Sequence, residues 1–179
     1  SAMKAFCVKA DNAALILGRV KRAESRKYRI KEGDYALVCT HNKPNEYAAV
    51  AYDSIDRERK IRDALPVPGA NLVFAVAHLE DGIPYDEFVK KFPAEARWAM
   101  RGTAAGCPRV WKTGGNFVNR ITKVHKLMGK PVIVKGKMGI FSLTDADASR
   151  VRGAIATGLK AKATPRKKLA SLVKKPAAK

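Results

Sequence analysis

Residues 72–79 form a nearly continuous apolar run, Leu-Val-Phe-Ala-Val-Ala-His-Leu, in which His78 is the only polar side chain. A strand with one face in water alternates apolar and polar residues, whereas a strand covered on both faces is apolar throughout. We therefore predict that these residues form a central β-strand, buried on both faces.

Further strands and helices are predicted on either side of this run. Strands are expected over residues 4–9, 25–29 and 35–40, with a turn at Gly33–Asp34, and a further strand over residues 131–143. The pattern of residues 117–127 suits a strand, but Phe117, Ile121 and Val124 would also suit a helix. Helices are expected over residues 11–18, 46–65, 85–92, 94–100 and from about 145 to 159, with Asp11 capping the first and Asp145 or Asp147 the last. The first helix carries Leu15, Ile16 and Leu17, which cannot all face one way, so it is expected to be buried. Residues 101–115 contain four glycines and a proline, which is typical of a loop.

Basic residues crowd the stretch from Arg19 to Lys31. Seven of its thirteen residues are Lys or Arg, and Glu24 is its only acid. No buried element could hold that many charges without partners. We therefore expect this stretch to form a surface that binds an anionic partner.

The same stretch resembles the signature of the ASCH family, a branch of the PUA-like β-barrels. That signature is a Gly and then Lys-x-x-Glu-x-Arg after a short apolar helix; Lys21, Glu24 and Arg26 keep the spacing, with Gly18 one residue further from the lysine than usual. Residues 31–38 are similar to the family's next turn and strand, and residues 130–141 to its closing strands. The resemblance therefore implies that residues 117–127 form a strand, which would pair with residues 131–143 around Met128–Gly129. The resemblance, over residues 4–144, implies an α+β fold with a PUA-like β-barrel of about five or six strands and flanking helices.

The chain is predicted to hold one domain, residues 3–159, followed by a basic tail. Residues 160–179 contain eight Lys or Arg and no acid. Their few apolar residues, Leu169, Leu172 and Val173, cannot offset the chain entropy of folding. We therefore expect the tail to be disordered.

The formal net charge is +20, from 36 Lys and Arg against 16 Asp and Glu. A balance this basic favours polyanionic partners, nucleic acid before all others. The preference for RNA over DNA is implied by the resemblance alone, so DNA remains open. Because ASCH domains are common in prokaryotes and their phages, the resemblance also implies a cytoplasmic protein of a bacterium or a phage-infected host.

Metal, cofactor and membrane sites are not expected. Cys7, Cys39 and Cys107 are far apart, and no Cys/His spacing suggests a metal site. Walker-type phosphate loops, His-Glu-x-x-His and Gly-x-Ser-x-Gly are missing from the sequence. No apolar run approaches the ~20 residues of a membrane span. The cysteines fit a reducing cytosol.

The predicted nucleic-acid interface combines residues from separate parts of the chain, which the resemblance brings to one cleft. They are Arg19, Lys21, Arg22, Arg26, Lys27, Tyr28 and Arg29 of the signature stretch; Arg109, Trp111 and Lys112 of the glycine-rich loop; Lys123, Lys126, Lys135 and Lys137 of the closing strands; and Arg166, Lys167 and Lys168 of the tail. Tyr28, Trp98 and Trp111 are candidate stacking platforms for unpaired bases, with core packing as the alternative for both tryptophans.

Lys21 and Glu24 are also the pair with chemistry suited to catalysis, if desolvation activates the lysine. The simpler interpretation is that Glu24 pairs with Arg26 or Lys21 and fixes the loop. The resemblance implies that relatives include ribonucleases and amidohydrolases that act on N4-acetylcytidine through Lys-x-x-Thr, where this chain has Glu24. The sequence therefore predicts a non-catalytic protein that binds single-stranded or irregular RNA and can assemble with it, with an RNA-directed enzyme using Lys21 and Glu24 as the alternative.

Overall fold

One curled sheet carries the fold. The structure, a computed structural model, describes residues 2–19, 21–40, 68–99 and 117–163. In these ranges the strands are β1 (Lys4–Val8), β2 (Ala23–Arg26), β3 (Gly33–Cys39), β4 (Val73–Leu79), β5 (Ile83–Pro84), β6 (Phe117–Lys126) and β7 (Ile140–Ser142). The helices are α1 (Ala10–Leu17), α2 (Tyr85–Lys91), α3 (Pro93–Ala99) and α4 (Asp145–Ala163). The predicted α+β class is confirmed, and the sheet is an open half-barrel.

The apolar run occupies the middle of the sheet, as predicted. The strand order is β2-β6-β4-β3-β1-β7, with β5 beside β6. β1 and β3 are parallel, and the other pairings of the described strands are antiparallel. β4 has β3 on one edge and β6 on the other, and all its residues from Val73 to Ala77 are buried.

A hydrophobic core covers each face of the sheet, which is why β4 is apolar on both. On one face Ala13 and Ile16 of α1 join Phe6, Leu37 and Phe74. On the opposite face Ala148 and Val151 of α4 join Ala36, Val38 and Val76. A smaller core places Phe88 of α2 and Ala96 of α3 against Ala23 of β2 and Val118 of β6.

Burial, and not capping, decides where α1 lies. Leu15 and Ile16 are fully buried, as predicted. The helix begins at Ala10, which is itself buried, and its N-cap position is Lys9, with no side-chain cap. The prediction that Asp11 caps this helix is therefore wrong.

The bounds of β2 and β3 differ from the predicted ones, because pairing with neighbouring strands sets where each strand begins. β2 begins at Ala23, opposite Arg120 of β6, two residues before the predicted strand, and ends at Arg26. Gly33 lies opposite Leu79 and Asp34 opposite His78, so both belong to β3 and not to a turn.

The predicted pairing of residues 117–127 with 131–143 is wrong. β6 forms as predicted but pairs with β2, β4 and β5. After Gly129 the chain runs along the start of β4, where the Val73 N–H donates to the Val132 carbonyl at 2.9 Å, and β7 then pairs with β1. Val132 is buried in the core beneath α4, and this burial fixes the new partner.

Thr144 caps the start of α4. The Thr144 hydroxyl oxygen accepts a hydrogen bond from the Asp147 N–H at 3.1 Å, and the Thr144 hydroxyl bonds the Asp147 carboxylate at 2.8 Å. The cap is therefore Thr144, with Asp147 as its partner three residues later, and the predicted Asp cap is wrong. The helix continues to Ala163, so the first four residues of the predicted tail are helical.

Several predictions lie outside the described residues. They concern the helix over 46–65, the loop over 101–115 and the chain after residue 163. Within the described ranges, no helix is both long and apolar enough to cross a membrane.

Candidate functional site

β2, at one end of the curled sheet, meets β1, the strand next to the other end, through a side chain. The Arg26 guanidinium Nη2, at the end of β2, donates to the Cys7 carbonyl oxygen of β1 at 2.7 Å. β7 pairs only with Lys4 to Phe6, so it leaves the end of β1 uncovered on that edge. No described backbone pairing joins β2 to β1. We call this gap between β2 and residues Cys7–Val8, bridged by Arg26, the seam.

A buried ion-pair chain lies behind the seam. Lys21 and Glu24 are each 5 % exposed. The Lys21 ammonium lies 3.4 Å from Glu24 Oε2 and donates to the Ala23 carbonyl at 2.6 Å. Glu24 Oε1 lies 2.9 Å from Arg26 Nη2. Charges this deeply buried persist only with partners, and here one carboxylate serves two cations.

Arg26 links this chain to the hydrophobic core. Its guanidinium carbon lies 5.1 Å from the centre of the Phe6 ring, in cation–π geometry. Phe6 in turn contacts Tyr35, with ring centroids 5.9 Å apart. Arg26 therefore contributes an ion pair, a backbone hydrogen bond and an aromatic contact at a single position.

The basic stretch is only partly a surface. Arg22, Lys27, Tyr28 and Arg29 are exposed, whereas Lys21, Ala23, Glu24 and Ile30 are buried. The expectation of a continuous basic surface is wrong for the buried residues, because Glu24 pairs with both Lys21 and Arg26 and lets those charges turn inward. Glu24 thus has the structural role that the simpler interpretation assigned to it.

Arg19 and Arg22 precede β2 and contact β6, which pairs with the edge of β2 opposite the seam. Arg19, with a left-handed φ of 61°, donates through Nη2 to the Thr122 carbonyl at 3.3 Å. Arg22 accepts from the Ile121 N–H at 2.8 Å through its own carbonyl. Neither guanidinium forms an ion pair with a carboxylate in the described ranges.

Residues 135–138 reach the seam from the other side. Gly136 packs directly against the Cys7 sulfur, so closely that a Cβ atom at this position would lie 2.6 Å from it. Burial raises the pKa of the Cys7 thiol, and the Lys137 N–H and the Arg26 charge oppose that shift. Lys135 and Lys137 are exposed and have no carboxylate partner within the described chain. The seam therefore brings part of the basic stretch from Arg19 to Lys31 together with residues 135–138.

Other predicted site residues lie apart from the seam. Lys123 is opposite His78, whose Nδ1 lies 2.8 Å from Asp34 Oδ1, so its surroundings are of mixed charge. Arg29 forms an ion pair with Asp81 at 2.9 Å. The Glu32 backbone N–H, with help from Arg29, lowers the pKa of Asp81. Arg29 thus stabilises the loop before β3.

Among the remaining candidates, the structure describes the side chains of Tyr28 and Lys126 only. Tyr28 is 38 % exposed. The side chain of Trp98, in α3, lies outside the description, as do all of Arg109, Trp111, Lys112, Arg166, Lys167 and Lys168. Lys126 is exposed at the end of β6 and, with Lys130, borders a separate cavity of about 300 Å³ lined by apolar residues such as Leu17, Phe74 and Leu127.

Sequence reasoning missed two residues that organise the site. Cys7 lies in a predicted strand and was considered as a possible metal ligand, yet its carbonyl accepts from Arg26 and its sulfur packs against Gly136, on the two sides of the seam. Asn119, fully buried and opposite Glu24 in register, donates through Nδ2 to the carbonyls of Ile30 and Glu80 at 2.8 Å each. An asparagine inside a predicted strand was the available signal for this link, whereas no signal in the sequence marked Cys7.

The site offers positive charge and hydrogen-bond donors. Among the described residues no group of His, Cys, Asp and Glu side chains could hold a metal ion. A scan against protein-family models and a search of curated proteins found no match to this chain.

Proposed function

We propose that this protein binds RNA, in single-stranded or irregular form, along the seam. The observation that carries the proposal is the meeting of two basic segments at Cys7, one through Arg26 and the other through Gly136, which lies between Lys135 and Lys137. Cations from distant parts of the chain repel each other, so their convergence costs free energy that an anionic ligand would recover.

The charge balance around the seam supports a polyanion. Arg19, Arg22, Lys27, Lys135 and Lys137 have no carboxylate partner among the described residues, while the acid at the centre, Glu24, is already paired twice. A sugar–phosphate chain would neutralise these cations and release counterions from itself. For single strands, log K then falls by ~0.7 per log unit of salt for each phosphate contacted.

The ASCH resemblance supports RNA as the form of that polyanion. A PUA-like domain whose cleft is the seam is compatible with three features of the chain. They are the half-barrel, the spacing of Lys21, Glu24 and Arg26, and the position of residues 135–137. In that arrangement Tyr28, beside Lys27 and Arg29, supplies a ring on which an unpaired base can stack. Residues 164–179, with six Lys or Arg and no acid, would add sequence-independent affinity. A cytoplasmic location belongs to the same proposal.

Charge reversal at the seam tests the proposal. Binding of a labelled single-stranded RNA is measured by fluorescence anisotropy at several salt concentrations. Arg22→Glu with Lys27→Glu should weaken binding at least ~10-fold and flatten the salt slope by ~1.4, the loss of two phosphate contacts. The matched control is Lys90→Glu with Arg152→Glu, two exposed cations on α2 and α4.

The controls also separate the alternatives. Equal losses in the two double variants would assign binding to net charge and overturn the proposed site. The absence of any complex with the native protein would overturn the function itself. Cleavage or modification of the RNA that disappears in Lys21→Met would favour the enzymatic alternative over the binding protein.

A further inference from the structure

Met138 is the most exposed large apolar side chain in the described part of the protein. Its exposed fraction is 101 %, against 57 % for Ile133 and 44 % for Met128. A single exposed apolar residue is ordinary on a protein surface. The surroundings of Met138 are not ordinary, because its loop is held in place and is flanked by positive charge.

The loop is fixed on both sides of Met138. Before it, Gly136 packs against the Cys7 sulfur, where a Cβ atom on the glycine would lie only 2.6 Å from that sulfur. After it, Gly139 has a left-handed φ of 75°, and Ile140 enters β7 opposite Phe6. A backbone held in this way loses little further freedom when the loop meets a ligand.

The charge around the loop selects the ligand. Lys135 and Lys137 are exposed and meet no carboxylate in the described ranges. Cys7, whose sulfur packs against Gly136 of this loop, also accepts a hydrogen bond from the Arg26 guanidinium through its carbonyl oxygen. A ligand that suits both features has a regular anionic backbone and flat apolar groups spaced along it, which is the chemistry of a polynucleotide.

We propose that Met138 acts as a wedge that inserts between adjacent bases of the bound strand, while Lys135 and Lys137 hold the flanking phosphates. Methionine is among the apolar side chains that proteins insert between base steps, where they partly unstack the bases. The inference rests on the proposed RNA-binding function and extends it. It assigns to this loop a contact with the bases, which phosphate binding alone does not require.

The test uses the full chain and a single-stranded RNA of about 16 nucleotides that carries 2-aminopurine, whose fluorescence rises when the base is unstacked. The native protein should raise the fluorescence on binding. Met138→Ala should remove most of that rise and weaken affinity about five- to tenfold. Met138→Leu, which keeps an apolar wedge, should retain both signals. Met128→Ala, at the other exposed methionine, should behave like the native protein.

Several outcomes would overturn the inference. Unchanged affinity and fluorescence in Met138→Ala, with native RNA binding intact, would remove the wedge and leave the proposed function standing. A native complex that gives no fluorescence rise would do the same. If Met138→Ala instead lowers binding to vesicles of phosphatidylcholine and phosphatidylserine and leaves RNA binding unchanged, the loop is a membrane contact. A native protein that binds no RNA would overturn the function and the wedge together.

Discussion

Arg26 and Cys7 are joined across the open side of the sheet by a 2.7 Å hydrogen bond from the Arg26 guanidinium to the Cys7 carbonyl. Neighbouring strands elsewhere in the sheet are joined by backbone ladders, whereas here one side chain spans the gap. The guanidinium that bridges the seam is also bound to Glu24 at 2.9 Å. The stability of the half-barrel and its electrostatics are therefore linked at one residue.

Loss of this bridge should destabilise the protein. Arg26→Ala removes a charge-assisted hydrogen bond and an ion pair that is partly exposed, and we expect it to lower the free energy of unfolding by ~2 kcal/mol. Arg22→Ala, at an exposed neighbour, should change it by less than ~0.5 kcal/mol. Urea denaturation followed by circular dichroism measures both, and equal values would mean that the bridge contributes nothing specific.

Removal of the Glu24 charge should cost more than removal of the Lys21 charge. Glu24→Gln leaves two cations next to each other without a carboxylate, and we expect a loss of ~3 kcal/mol, typical of a broken buried pair. Lys21→Met should cost less, because Glu24 keeps Arg26. In the double variant the two losses should not add, because the residues are coupled. Additive losses in urea titrations would show that the pair is not a unit.

The packing of Gly136 against Cys7 predicts that a substitution at Cys7 restores the stability lost through a substitution at Gly136. In Gly136→Ala the new methyl group would lie 2.6 Å from the Cys7 sulfur, and the resulting overpacking should cost ~1–3 kcal/mol. Cys7→Ala in the same chain should restore most of that loss. Gly153→Ala is the control, since a Cβ there meets nothing within 4 Å and α4 should gain ~1 kcal/mol. A Gly136→Ala variant as stable as the native protein would contradict the contact.

High pH should destabilise the fold. Burial raises the pKa of Cys7, and it also raises the pKa values of Tyr35 and Tyr85. The folded state therefore holds these protons more tightly than the unfolded state, so the stabilisation is complete below the unfolded pKa values and is lost as pH rises through the folded ones. The urea concentration at the unfolding midpoint should decrease as the pH rises from 8 to 11. Cys7→Ala should show a smaller decrease at the lower end of that range. A midpoint that rises with pH would contradict the assignment.

Local patterns in the sequence were sufficient to predict the elements at the centre of the fold. β4 could be predicted because a strand covered on both faces has to be apolar throughout, and α1 because Leu15, Ile16 and Leu17 require burial on several sides. These elements depend mainly on residues close in sequence. For β6 the local pattern was not sufficient, because Phe117, Ile121 and Val124 would also suit a helix; the family resemblance favoured the strand, and its partners were not predicted.

Long-range pairing was beyond the same reasoning. The segment after Gly129 was expected to return along β6, but burial of Val132 and the free edge of β1 decided its course. Nothing near Cys7 in the sequence indicates that it meets both Arg26 and Gly136. The basic stretch was misjudged for a related reason: its charge suggested a surface, while Glu24 allows Lys21 to be buried.

Crosslinking of bound RNA tests the central claim most directly. The native protein is saturated with single-stranded RNA, irradiated with ultraviolet light, and digested, and the peptides that carry nucleotides are identified by mass spectrometry. The account predicts crosslinks in peptides that contain Tyr28 and in those that contain Lys135 to Met138, on the two sides of the seam. Crosslinks that avoid both segments at saturation, or their confinement to α2 and α3, would contradict it.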